Sequence, residues 1–147
     1  MKELTSRSLA DTKNLAESLL ERLVSAPRKG ASVLALYGDL GSGKTALTKE
    51  IAALLKVRDV VNSPTFVLEK VYKVEHPTWK RLIHIDAYRL EEPQELEHLG
   101  WKEIAADAEN LIVVEWAEQV EGLIPAHALR VRAEFVDEST RRFHIHD

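Results

Sequence analysis

Three observations predict an α/β fold of the P-loop NTPase class, a mainly parallel sheet flanked by helices with a C-terminal antiparallel extension. Short, almost wholly apolar runs recur at Val33-Leu34-Ala35-Leu36-Tyr37, Leu82-Ile83-His84-Ile85-Asp86 and Leu111-Ile112-Val113-Val114-Glu115, as strands buried on both faces of a parallel sheet require. Segments with apolar residues every three or four positions separate them, and parallel strands need such helical crossovers. The octapeptide GDLGSGKT, Gly38 to Thr45, joins the first run to a helical pattern, which is the strand, glycine loop and helix order of a phosphate-binding unit.

Each element has its own signal. Leu9, Thr12, Leu15, Ala16, Leu19, Leu20 and Leu23 form one face of an amphipathic helix that should pack on a sheet, with Ser8 as N-cap and Asp11 in the first turn. From Lys44 onward Leu47, Ile51, Leu54 and Leu55 share a helical face. Phe66 to Val74 reads as a strand with Phe66, Leu68, Tyr72 and Val74 on one side, and Pro77 marks the turn before the next run. Pro93 suits the first turn of a helix ending at Leu99, where Gly100 fits the left-handed C-terminal position, and Trp101 to Ala108 continues helically. Leu129 to Phe135 and Arg141 to His146 read as two strands joined by the polar turn Asp137-Glu138-Ser139-Thr140.

Bulk properties narrow the class. A chain of 147 residues, 45% of them hydrophobic, can build one core without disulfides or metals, so a single domain over residues 1–147 is expected. It has no cysteine, which removes thiolate zinc sites and favours a reducing cytoplasm. No stretch approaches the roughly 20 apolar residues of a membrane span, so no membrane role is expected. Lys and Arg number 20 against 24 Asp and Glu, a net charge of −4, the opposite of a stand-alone nucleic-acid binder. His144 and His146 read as neighbours on one face of a terminal strand rather than as zinc ligands.

In GDLGSGKT, Gly38, Gly41 and Gly43 permit a tight curl in which the backbone around Asp39, Leu40, Ser42 and the helix start at Ala46 turns its N–H groups toward an anion. Lys44 supplies positive charge for the β and γ phosphates, and Thr45 a hydroxyl for Mg2+, so ATP with magnesium is the expected ligand. Typical residue usage produces this pattern in a chain of such length on the order of 1 time in 200, and the flanking strand and helix make coincidence rarer. Asp86 and Glu115 each end a buried strand, and carboxyl ends of adjacent strands face the ligand crevice. Asp86 is a candidate for magnesium or a structural cap; Glu115 for orienting water, for the metal, or for an ion pair. Ser63-Pro64-Thr65 is either a loop sensing the γ phosphate or an ordinary proline turn. Trp116, beside Glu115, is a packing residue or lines the pocket.

Four blocks, GDLGSGKT, SPTF, HIDAYRLEEPQELEHLGW and VVEWAEQ, together resemble the TsaE family, the bacterial ATPase of tRNA threonylcarbamoyladenosine biosynthesis, from about Asn14 to Pro125. The resemblance implies that Asp86 is the magnesium-linked acid, Glu115 the residue most important for hydrolysis, Thr45 the P-loop metal ligand, and Ser63 to Thr65 a nucleotide-responsive loop. It further implies a role as the ATP-driven accessory of TsaB with TsaD, which place a threonylcarbamoyl group, made by a TsaC-type enzyme, on the adenosine beside the anticodon. Contact with tRNA would then be indirect, through the complex. After Pro125 no motif of the family is matched. A small-molecule kinase needs a lid arginine, yet Arg58, Arg81 and Arg89, the only arginines between the P-loop and Glu115, lie in no lid-like insertion. A GTPase needs Asn-Lys-x-Asp, which the sequence does not contain.

Overall fold

The computed structural model describes residues 2–39, 41–58, 69–88 and 90–146. Leu40, Ser63-Pro64-Thr65, Phe66, Leu68 and Arg89 lie outside these, and with them the start of the strand expected from Phe66. In chain order the elements are β1 (Lys2–Ser6), α1 (Leu9–Ser25), β2 (Ser32–Tyr37), α2 (Lys44–Leu54), β3 (Glu69–Lys73), β4 (Arg81–Asp86), α3 (Gln94–His98), α4 (Trp101–Ala106), β5 (Asn110–Glu115), a 3-10 helix (Ala117–Leu123), β6 (Leu129–Asp137) and β7 (Thr140–His146). The strands form one mixed sheet in the order β1-β7-β6-β2-β5-β4-β3. Its centre, β6, β2, β5 and β4, is parallel. β3 adds antiparallel at one edge, and β7 then β1 at the other.

The apolar runs are continuous because successive residues feed two cores, one on each face. Leu34, Leu36, Leu82, Leu111 and Val113 pack with α1 and α2 residues such as Leu19 and Ile51. Val33, Ala35, Ile83, Ile85, Ile112 and Val114 pack on the other face with Leu96, Trp101 and Val120. Ser8 caps α1 by accepting the Asp11 N–H at 3.1 Å, and Thr12 through Leu23 of the expected face are buried. Leu9, the first residue of the helix, alone stays exposed, at 72%. Trp79 and Trp101 are both buried, and the Trp79 indole donates to Ser32 Oγ at 3.0 Å.

Three features depart from the sequence expectation. β1, Lys-Glu-Leu-Thr-Ser, has no apolar run, yet pairs along β7, where Glu3 lies 3.2 Å from Arg142. The helix expected to reach Ala108 ends at Ala106, because the Asp107 carboxylate accepts from Arg81 at 2.7 Å and from the Glu109 N–H at 2.9 Å, which turns the chain into β5. The 3-10 helix after β5 was not signalled; it begins after Trp116, whose backbone is left-handed at φ 58. No helix among the described residues is long and apolar enough to cross a membrane.

Candidate functional site

β2 runs into the glycine loop, and α2 begins at Lys44 with Gly43 as its N-cap at φ 107. Gly38 and Gly41 are also left-handed, at φ 131 and φ 75, a backbone that L side chains rarely adopt. The loop closes through the Ser42 N–H on Asp39 O at 3.2 Å. Its first N–H, from Gly38, donates to Glu118 Oε2 at 3.2 Å. Just upstream, burial and the Glu121 carboxylate that its hydroxyl bonds push the Tyr37 pKa up to about 12, so this end of β2 is anchored by a neutral phenol.

A Cβ at Gly38 would fall 2.2 Å from Ala133 O and 2.9 Å from Ser42 Oγ, whereas one at Gly41 meets nothing within 4 Å. The first contact is with backbone of β6, which cannot rotate away. Gly38→Ala is therefore expected to destabilise the fold by about 2–4 kcal/mol, and Gly41→Ala by about 1–2 kcal/mol from its dihedral alone. Urea unfolding midpoints of both variants test this; equal midpoints would contradict it.

Lys44 is buried. Its ammonium donates to Gly38 O, to Asp39 O at 2.8 Å and to Ser42 Oγ at 3.2 Å, and lies 4.2 Å from the centre of the Trp116 ring. Burial lowers its pKa, against the opposing pull of Glu118, Glu115, Asp39 and Asp86. The half-buried Trp116 ring in turn meets Tyr88, centroids 4.8 Å apart. Left-handed backbone at Trp116 is what turns this side chain back over the loop.

The acids are ordered by sheet position. β5 is the direct neighbour of β2, and β4 lies one strand further out, with Asp86 and Glu115 as register partners. Glu115, only 2% exposed, accepts the Thr45 hydroxyl at Oε1, 2.8 Å away, and is bonded at Oε2 by His84 Nε2. Asp86 is half-buried and accepts the Tyr88 N–H at 3.0 Å. Lys44, Thr45, Glu115 and Trp116 thus meet at the mouth of the glycine loop, with Asp86 beside them. Asp39, Gly41 and Ala46 are exposed around it, and Ser42 is buried beneath. Ser63 and Thr65 lie outside the described residues, as does Leu40.

Two participants were missed by sequence reasoning. His84 had a usable signal: it stands two residues before Asp86, and strand periodicity puts the two on one face. Glu118 had none, because its reach to Gly38 depends on the turn at Trp116. His144 proves to be engaged with carboxylates, 3.2 Å from Glu134 and 3.6 Å from Glu3.

Comparison with known proteins adds the family. Residues 6–143 match the family model described as threonylcarbamoyl adenosine biosynthesis protein TsaE. A tRNA threonylcarbamoyladenosine biosynthesis protein TsaE of Rickettsia bellii is 35% identical over 92% of this chain and 88% of its own length. The protein of the same name from Aquifex aeolicus is 34% identical over 99% of this chain and 96% of its own. The crystal structure of Bacillus subtilis YdiB is similar with a TM-score of 0.71 at 28% identity, covering 98% of this chain and 83% of that one.

Proposed function

We propose, because the chain belongs to the TsaE family of tRNA threonylcarbamoyladenosine biosynthesis proteins, that it binds and hydrolyses ATP as the accessory subunit of a TsaB–TsaD complex in the cytoplasm. The observation that carries this reading is the 2.8 Å bond from the Thr45 hydroxyl to Glu115: a P-loop hydroxyl held by an acid on the adjacent parallel strand. The whole chain would act as one P-loop unit.

The donor set suits magnesium, a hard cation that takes oxygen ligands from protein and substrate together. With its proton given to Glu115 Oε1, the Thr45 hydroxyl keeps its lone pairs free as ligands, and the carboxylates of Glu115 and Asp86 stand on neighbouring strands. Thr45, with Asp86 and Glu115 directly or through water, would hold the ion. Bound there, magnesium would offset negative charge on the phosphates. The remaining work falls to the chain: the backbone of Gly38, Asp39, Leu40, Gly41, Ser42, Gly43 and Ala46 cradles the phosphates, and Lys44 neutralises them. Glu115 orients the attacking water. Ser63 and Thr65 respond to the γ phosphate, and Trp116 walls the pocket over Lys44.

The net charge of −4 supports tRNA contact only through the complex, since a subunit gripping phosphates itself would need a basic surface. ATP is preferred to GTP because no guanine-reading Asn-Lys-x-Asp segment is present in the sequence. Titration of the protein with each nucleotide and magnesium is expected to give ATP at least about tenfold tighter binding. Equal affinity, or tighter GTP binding, would overturn the ATPase reading.

A further inference from the structure

His84 is 0% exposed, and one polar contact accounts for it: the bond from Nε2 to Glu115 Oε2. Its other ring nitrogen, Nδ1, has no hydrogen-bond partner among the described residues. A histidine that merely filled the core would leave a buried polar atom unsatisfied for no return, since an apolar side chain of similar size carries no such penalty. The strand register explains how the contact arises. His84 is the Cα partner of Val113, and Glu115 lies two residues further along β5, so the two side chains are diagonal neighbours on the face that carries α2.

A glutamate has three rotatable bonds, and a hydroxyl that can itself turn does not fix them. Thr45 alone therefore leaves the Glu115 carboxylate free to pivot about Oε1. A second bond, from a ring on the rigid β4 strand, fixes the plane of the carboxylate. A bond in which the carboxylate accepts requires the imidazole proton on Nε2. Water does not compete for the His84–Oε2 bond, because the imidazole is fully buried.

We propose that His84 is a positioning residue for ATP hydrolysis: its Nε2–H anchors Glu115 Oε2, so that Oε1 is held toward the Thr45 hydroxyl. The proposal rests on the ATPase reading above and extends it to a residue that touches neither nucleotide nor metal.

The test uses three substitutions in the full chain, assayed with purified TsaB and TsaD. In His84→Gln the amide nitrogen reaches about as far as Nε2; in His84→Asn it reaches only as far as Nδ1; His84→Leu has no donor. Turnover is expected to fall about tenfold or more in His84→Asn and His84→Leu, with the ATP dissociation constant changed less than about threefold. His84→Gln is expected to return turnover to within about threefold of the wild type. Equal turnover in the Gln and Asn variants, or loss of binding in step with turnover, would overturn the positioning role. Should the Leu variant fail to fold, the Gln and Asn pair decides.

A second readout needs no hydrolysis. Imidazole 1H–15N spectra of the wild type should show His84 protonated at Nε2 with a low-field proton, and Glu115→Ala should abolish that resonance. A His84 ring protonated at Nδ1 alone would sink the proposal. A wild-type complex that hydrolyses no ATP would instead defeat the ATPase reading, and the spectra would still report on the bond.

Discussion

Replacing Glu115 by alanine is expected to slow ATP hydrolysis by about 10²-fold or more while leaving nucleotide binding largely intact. The separation follows from what each part of the site holds. On the proposed reading, phosphate grip would come from the glycine-loop backbone and Lys44, and Lys44 does not depend on Glu115 for its hydrogen bonds, which run to Gly38, Asp39 and Ser42. Glu115 instead accepts the Thr45 hydroxyl, the proposed magnesium ligand, and is itself anchored by His84. The comparison is made in the presence of TsaB and TsaD, with turnover and ATP dissociation constants measured on the same preparations. A wild-type rate in Glu115→Ala would remove Glu115 from the mechanism.

Asp86→Ala provides the contrast. Asp86 stands one strand further from the glycine loop than Glu115 and is more accessible, so its carboxylate is suited to an ion held partly by water. Its loss is expected to weaken magnesium-dependent ATP binding by about tenfold while binding without magnesium changes little. Identical effects in both conditions would mean that Asp86 has a structural role, such as accepting the Tyr88 N–H, and no magnesium role.

What the sequence made legible depended on how local each cause was. The central strands could be read because burial on two faces forces apolar residues at every position, and the glycine loop because only glycine takes its left-handed turns without strain. β1 could not, because a polar edge strand is defined by its partner: Lys2 to Ser6 become a strand only along β7. The end of α4 depended on Asp107 meeting Arg81, 26 residues away. Within the site, Lys44, Thr45 and the two acids followed from motif and strand ends. His84 and Glu118 acquire their contacts from register and from the backbone turn at Trp116, both properties of the assembled sheet.

The isolated protein is expected to hydrolyse ATP slowly, and TsaB with TsaD to accelerate it by about tenfold or more. A fast phosphoryl-transfer site adds a cation beyond the P-loop lysine and the metal, because charge spreads over the transferring group in the transition state. Among the described residues near the loop, Lys44 is the one cation with its ammonium at the site, and its three donors are engaged by Gly38, Asp39 and Ser42. Turning them to phosphate means giving up those bonds, which limits what Lys44 contributes to the lone subunit. Arg141 does approach Gly43, but its guanidinium is committed to the Phe135 ring and to the carbonyls of Asp137 and Thr140. Arg89, three residues beyond Asp86, lies outside the described residues and is one candidate within the chain, the alternative for it being an ion pair with Glu92 or Glu95. A cation supplied by the partner, or a loop ordered by it, would couple ATP consumption to assembly. Steady-state assays with and without purified TsaB and TsaD decide the matter, with Lys44→Ala as the control for contaminating activity and Arg89→Ala to separate a cation within the chain from one donated by the partner. Acceleration that survives Arg89→Ala would point to the partner, and an isolated rate already equal to that of the complex would refute the coupling.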